Sequence, residues 1–488
     1  MAVLGIDVGT TACKAILYDA DGKVLGSARE EYRLGHPQKG WAEINPEEMW
    51  NAVKKCIYES VKTSKRKVEA LAISSHGEGV IPLNAKNEEV GPEIVSFDCR
   101  SIEETKRLET IFGKEYFFEC GGQLLSSVGT ATKIMWMNAN PAYFKEKPYA
   151  FVCAGDYIAL KLTGERVIDF SLASRTMLLD VHKKIWNEEL LDYIGIREDV
   201  LSKPVQSGTV IGKVSRSCAE ELGMLADTIV IAGGHDQPCA MVGAGATHPN
   251  AAIYSMGTTE TLVCSMQQFT PTLYEQGLCC YPHVLKEQYV TLPGNFTGGN
   301  LLKWLKNMLI TSSDATYGYE EMLEEMVDYP TAMLLLPHFT ATGSPWNDSD
   351  SRGMISGLSL DTTRGEFIRL AQEGVTMEIL LNLEELKKRG VHIKELIAVG
   401  GGTASEKLMQ LKANILGIPL LIPENCEAAC KGVACLAGVA IGWSKDEFLP
   451  YKGSICKEFL PDRELHGQYL ENLIKYNRMY QSQKEIWR

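Results

Sequence analysis

Asp236 stands in the run Ile229-Val230-Ile231-Ala232-Gly233-Gly234-His235-Asp236-Gln237-Pro238, a lone carboxylate at the mouth of an apolar strand. An aspartate titrates near ~3.9, so at neutral pH it is ionised and can take the proton of a hydroxyl group. Two strand-to-glycine turns lie elsewhere in the chain, Ile6-Asp7-Val8-Gly9-Thr10-Thr11 and Met256-Gly257-Thr258-Thr259. In each, glycine lets the backbone bend sharply enough for amides and threonine hydroxyls to face a phosphate. Lys14 can reach the same charge. Asp7 would repel it unless a divalent cation intervened, and Mg²⁺ bound to Asp7 through water meets that need. A third glycine run, Gly400-Gly401-Gly402 with Ser405 beyond it, stands between a strand and a helix, where backbone can approach a phosphate or a flat ligand closely. No stretch completes the dinucleotide fingerprint or the P-loop spacing. Three such loops and one base are the parts needed to transfer a phosphoryl group from ATP to a hydroxyl.

The acceptor of that group is expected to meet the polar run Ser74 to Gly79, containing His76, Gly77 and Glu78, together with Asp98, Arg100, Gln237 and Asn295. Carboxylates, amides and guanidinium groups pair with the hydroxyl arrays of sugars and polyols.

Regular elements must hold these groups in place. Residues 3–8, 11–18 and 23–30 read as a meander of short strands, with a turn at Asp21-Gly22. A helix follows, capped by Asn45 with Pro46 in its first turn, and Trp50, Val53, Ile57 and Val61 recur on one face. The strand from Val68 to Ser74 runs into the acceptor segment. Residues 251–255 and 261–265 repeat the opening pattern around a second glycine turn, so the halves read as distant duplicates, divided at 1–245 and 246–488. Further on lie a helix from 364 to 388, a strand at 396–399 and a helix from 405 to 416. Gly374, inside the first of these helices, calls for close helix packing.

A chain of 488 residues exceeds one core, and 45% hydrophobic with 23% charged residues is ordinary globular composition. The net charge of −13 argues against nucleic acid or an anionic membrane surface as a partner. The apolar stretch from Gly432 to Trp443 is too short to span a bilayer and suits a buried helix. The chain enters a strand almost at once after Met1 and its 14 cysteines are scattered, so no leader and a cytoplasmic location with reduced thiols are expected. Cys426 and Cys430, and the adjacent Cys279 and Cys280, lack partners at zinc-site spacing.

Taken together, the chain resembles the FGGY family of carbohydrate kinases, within the actin, hexokinase and heat-shock ATPase superfamily. The resemblance runs nearly end to end. It rests on the three loops and on Gly40-Trp41-Ala42-Glu43, Asp98-Cys99-Arg100 and Lys133-Ile134-Met135-Trp136-Met137. It also rests on Gly353-Met354-Ile355-Ser356-Gly357-Leu358 with Glu366, Phe367 and Glu373. Val128, Ala139, Leu370 and Gln372 depart from the family signatures. The resemblance implies an α/β fold of two ribonuclease H-like, actin-like ATPase domains around a central cleft. It implies ATP and Mg²⁺ as cofactors and Asp236 as general base. It assigns Asp7, Gly9, Thr10, Thr11, Lys14, Gly257, Thr258, Thr259, Gly401, Gly402 and Ser405 to ATP. Glu78 aligns with a glutamate that glycerol kinases place on their polyol and with the histidine of the xylulokinase Met-His-Gly element. Gly77 stands where glycerol kinases have arginine. A small ketose, a ketopentose such as xylulose or ribulose foremost, is the implied acceptor. A polyol such as glycerol or erythritol, or a non-catalytic actin-like nucleotide switch, stays open. Similar kinases include homodimers, but no stretch here marks an interface.

Overall fold

The computed structural model describes residues 2–62, 64, 66–309, 317–424, 427–444 and 455–487. Cys426 lies outside them. The first half opens with strands β1 (Ala2–Val8), β2 (Ala12–Tyr18) and β3 (Val24–Glu31), helix α1 (Pro46–Lys62) and β4 (Val68–Ser75). Helices α2 (Thr130–Ala139) and α3 (Phe170–Arg175) precede β5 (Val210–Lys213), β6 (Ile229–His235) and α4 (Asp236–Ala244). The strands form one sheet in the order β5-β6-β4-β1-β2-β3, with β6, β4 and β1 parallel and β2 returning antiparallel. Asn45 accepts the Glu47 amide at 3.0 Å as α1 begins, and Trp50, Val53, Ile57 and Val61 are buried as their spacing requires.

The second half comprises β7 (Ala251–Met256), β8 (Glu260–Met266), β9 (Tyr281–Pro282), β10 (Tyr289–Thr291), α5 (Arg364–Lys388) and β11 (Glu395–Gly400). It continues with α6 (Glu406–Leu416), β12 (Leu420–Pro423), α7 (Ala428–Ala440), β13 (Ile455–Phe459) and α8 (Arg463–Trp487). Its sheet runs β9-β10-β8-β7-β11-β12-β13. Strand β7 meets β8 antiparallel and β11 parallel, as β1 meets β2 and β4. The duplication read from the sequence is thus a duplication of sheet topology. Gly374 in α5 packs closely, but against a strand segment rather than a helix: a Cβ there would lie 2.8 Å from the Leu335 carbonyl.

The halves meet where α4 crosses α7. A Cβ on Gly243 would stand 1.8 Å from the Ala428 carbonyl, and one on Gly432 1.8 Å from the Cys239 carbonyl, so the helices touch backbone to backbone. Helix α7 comes late in the chain yet packs on the first sheet, where Val433, Ala434 and Ala437 cover Val3, Ala70, Ala72 and Ile231. The opposite face of that sheet is covered by α1. Among the described residues, no helix is long and apolar enough to cross a membrane.

Candidate active site

Parallel pairing of β1, β4 and β6 brings the two chemical carboxylates to one edge. Asp7 and Gly234 both stand opposite Ser74, and Val8 and His235 both stand opposite Ser75. Ser74 donates its hydroxyl to Asp7 Oδ1 at 2.9 Å. Asp236 is the first residue of α4, with His235 at the cap. The Asp236 side chain keeps 30% of its surface, while its Oδ1 is buried and has no hydrogen-bond partner. His235 Nε2 lies 3.3 Å from that oxygen, and burial holds its imidazole neutral, well below the usual histidine range. Burial raises the Asp236 carboxyl, against the lowering pull of His76, the Gln237 side chain and Arg175. Asp7 is pushed up to about 6, first by burial and then by the Asp236 charge. Two carboxylates close enough to feel one another are a donor set that suits a divalent cation.

The first loop turns as expected, with the Gly9 amide donating to the Ala12 carbonyl at 2.9 Å and Tyr32 donating its hydroxyl to the Gly9 carbonyl. Thr10 is half-buried and Thr11 exposed. Lys14 is paired with Glu427, at the start of α7, at 2.5 Å. In the second half a cleft of about 1010 Å³ is lined by Gly257, Thr258, Lys303, Gln372, Gly401, Gly402 and Ser405 among others. Thr259 does not line it; its carbonyl accepts the Gly257 amide at 3.0 Å, closing the turn. Ser405 also caps α6 by accepting the Leu408 amide at 3.3 Å. The cleft lining comes wholly from residues 256–408, so the second and third loops share it and the first does not.

The expected acceptor residues separate into two groups. Glu78 and Gln237 face the Asp236 edge: Glu78, at φ 60°, pairs with Arg175, whose charge also acts on Asp236. Its backbone is held by Lys133 Nζ, which donates to the carbonyls of Glu78 at 2.8 Å, Val128 at 2.6 Å and Ser96 at 3.3 Å. Lys133 is fully buried, and burial draws its ammonium down to about 7.

The remaining expectations need correction. His76 has both ring nitrogens engaged, Nδ1 with the Val8 carbonyl at 3.0 Å and Nε2 with Glu93 Oε1 at 2.7 Å, so it is a wall residue. Asp98 and Arg100 bind each other through two side-chain hydrogen bonds of 2.9 and 2.8 Å, and both side chains are fully buried. Arg100 also reaches Glu43 at 2.7 Å and stacks 3.9 Å over Trp41. This acid and base brace the wall rather than offer themselves to a ligand. Asn295 is 3% exposed, its amide donating to the Val375 carbonyl at 3.2 Å and its oxygen accepting the Glu260 amide at 3.3 Å. It props the second loop from behind.

Arg175, Gln123 and Tyr281 escaped the sequence reading. Their only signals there are a six-residue helix behind the Asp169 cap and polar residues in loops, with no period to mark them.

A duplicated α/β fold with a carboxylate pair at strand ends and a glycine-lined cleft defines a phosphotransferase with the two-domain actin-like ATPase architecture. The chain belongs to the FGGY family of carbohydrate kinases, whose N-terminal domain matches residues 2–243 and C-terminal domain residues 252–441. It is 26% identical over 496 residues to a xylulose kinase of Staphylococcus epidermidis, covering 99% of this chain and 97% of that one. It is 30% identical over 480 residues to a glycerol kinase of Koribacter versatilis, covering 94% of each. The crystal structure of a xylulose kinase from Brucella ovis superposes with a TM-score of 0.92 at 25% identity, covering 100% of both chains.

Proposed function

We propose that this protein transfers the γ-phosphoryl group of ATP to a terminal hydroxyl of a small ketose, a ketopentose such as xylulose or ribulose foremost. One observation carries the reading: Asp236 places a carboxylate that keeps 30% of its side-chain surface at the strand edge that also holds Asp7, with its inner oxygen buried beside His235. The open part of such a carboxylate accepts the acceptor's proton as its hydroxyl attacks the phosphorus in line. Asp7 would hold Mg²⁺ through water, and the ion would balance the charge between that carboxylate and the phosphate oxygens. Gly257, Thr258, Gly401, Gly402 and Ser405 would seat the rest of the nucleotide, with backbone amides toward phosphate. The cleft they line belongs to the second half, and closure of the lobes on one another would bring ATP to Asp236. That closure also excludes water from the transferring group.

The xylulose kinases among the relatives support the ketose reading. Glu78 and the 30% identity to a glycerol kinase support a polyol as the second reading. A coupled assay over ketopentoses, ketohexoses and polyols tests both. Replacing Asp236 by Asn is expected to lower transfer by about 1000-fold, within the range for a lost general base, while ATP affinity stays within about twofold. A D236N enzyme that keeps more than a tenth of the turnover would remove Asp236 from the chemistry.

A further inference from the structure

The space above Gly77 is filled by a side chain from a distant part of the chain. A Cβ on Gly77 would lie 3.2 Å from Arg175 Cγ, 3.3 Å from Arg175 Cβ and 3.2 Å from His235 Cδ2. Arg175 and His235, at the strand end that carries Asp236, therefore both pack against the 76–79 segment. The element that carries Arg175 is firmly placed: Asp169 caps α3 by accepting the Ser171 amide at 2.7 Å and the Leu172 amide at 3.2 Å. Ser174 is anchored to the Gly121 carbonyl at 2.8 Å.

The guanidinium donates through Nη2 to Glu78 Oε1 and through Nη1 to Gln123 Oε1, the latter at 2.8 Å. It lies 5.3 Å from the Tyr281 ring, whose hydroxyl meets His235 Nδ1 at 2.9 Å. Arg175 Nε is buried without a partner, while the side chain as a whole keeps 17% of its surface and that of Glu78 keeps 8%. A forked donor and a carboxylate acceptor thus lie side by side beside the base, the guanidinium side chain partly open and the carboxylate nearly covered.

We propose that Arg175 is a specificity-determining residue, forming with Glu78 a charge-balanced clamp for neighbouring hydroxyls of an uncharged acceptor and disfavouring one that carries a carboxylate. The guanidinium can donate to one hydroxyl and Glu78 can accept from the next. Because the Arg175 charge is spent on Glu78, an acceptor carboxylate gains no free counter-ion there. The other cations in this wall are also engaged: His76 is balanced by Glu93 at 2.7 Å, Arg100 by Asp98 and Glu43, and the fully buried Lys133 Nζ is bound by three carbonyls, while Asp7 and Asp236 add only negative charge. Rejection of an anion then follows from like charge and from desolvation without a partner.

The inference rests on the kinase reading above, and its test separates the two. The full-length wild type and R175Q, R175K and E78Q are assayed with xylulose, xylitol and xylonate. Acceptor binding is titrated in parallel without ATP. R175Q is expected to raise the acceptor KM at least ~10-fold, as loss of a hydroxyl-recognising group does, with ATP KM within about twofold and a lowered melting temperature, because Glu78 is left buried without its counter-ion. R175K recovers part of that loss. E78Q, which frees the guanidinium, is expected to raise the ratio of xylonate to xylulose kcat/KM by ~10-fold or more. An R175Q enzyme with unchanged acceptor KM, or a wild type that prefers xylonate, overturns the clamp. Failure of the wild type to phosphorylate any acceptor overturns the kinase reading instead. Binding then decides the clamp, which stands if R175Q weakens acceptor binding and falls if it does not.

Discussion

At the acceptor end of the site, Glu78, Arg175, His76, Glu93 and Lys133 pack a wall with charges that are buried and matched in pairs or bound to carbonyls. At the proposed nucleotide end, Gly257, Thr258, Gly401 and Gly402 offer backbone and open volume, and the charged Lys14 and Glu427 sit in half-exposed contact. Every kinase of this kind meets the same nucleotide, and backbone amides suffice to receive phosphate oxygens. A sugar must be told from its isomers. Buried polar groups do that, because leaving one unmatched is expensive. A disturbance at the acceptor end should therefore be felt in stability and in acceptor choice, and one at the nucleotide end mainly in nucleotide affinity.

The largest test of this contrast is Lys133→Met. It leaves the carbonyls of Glu78, Val128 and Ser96 without their shared donor, and a loss of about 2 kcal/mol in urea unfolding is expected, with a raised acceptor KM and an unchanged ATP dissociation constant. If ATP binding weakened as much as acceptor binding, the two ends would not be independent.

Next comes pH. Burial alone would lower His76, but the Glu93 carboxylate and the Val8 carbonyl outweigh it and raise its imidazolium to about 9. Unfolded histidine titrates near ~6.5, so the fold holds this proton more tightly than the unfolded chain. The resulting stability is complete below pH ~6.5 and is lost as pH rises through about 9. Urea midpoints measured from pH 6 to 9 should fall more steeply for the wild type than for His76→Gln. Parallel curves would mean the pair carries no such linkage.

The smallest effect belongs to the nucleotide end. Glu427→Gln releases Lys14 from an ion pair with 30% and 50% of the two side chains exposed. Half-exposed pairs of this kind are worth at most about 1 kcal/mol, so ATP should bind up to about fivefold more tightly, with acceptor KM unmoved. Calorimetric titration of ATP checks this, and weaker binding would show that Glu427 helps the phosphate rather than competing with it.

How far the sequence carried depended on the range of the interaction. Apolar runs bounded by glycine placed β1, β4, β7 and β11 within about a residue or two, because strand burial repeats locally, while the run before Asp236 marked β6 only to Ala232, three residues short of its end. Parallel pairing of β1, β4 and β6, which the apolar runs alone do not specify, then puts Asp7 and Asp236 at one edge. The partnerships of polar side chains were not legible. Glu78 and Arg175 are separated by 97 positions, and nothing in either neighbourhood specifies the other. Asp98 and Arg100, two apart, read as a sugar clamp. The aromatic cage that consumes the arginine comes from Trp41, Trp136 and Tyr143 on separate segments. Asn295, in a glycine-rich loop, read as a ligand contact for the same reason, since its buried partners Val375 and Glu260 lie far from it in sequence.

Helix α7 gives the order of the chain a consequence for how it must be made. Until residues 428–440 emerge from the ribosome, Val3, Ala70, Ala72 and Ile231 have only Cys239 and Val242 of α4 as helical cover within their own half, so the opening lobe waits for a helix encoded near the far end of the message to complete its cover. The halves share a topology, yet the first cannot be cut out and produced alone without exposing to solvent the part of its sheet that α7 covers.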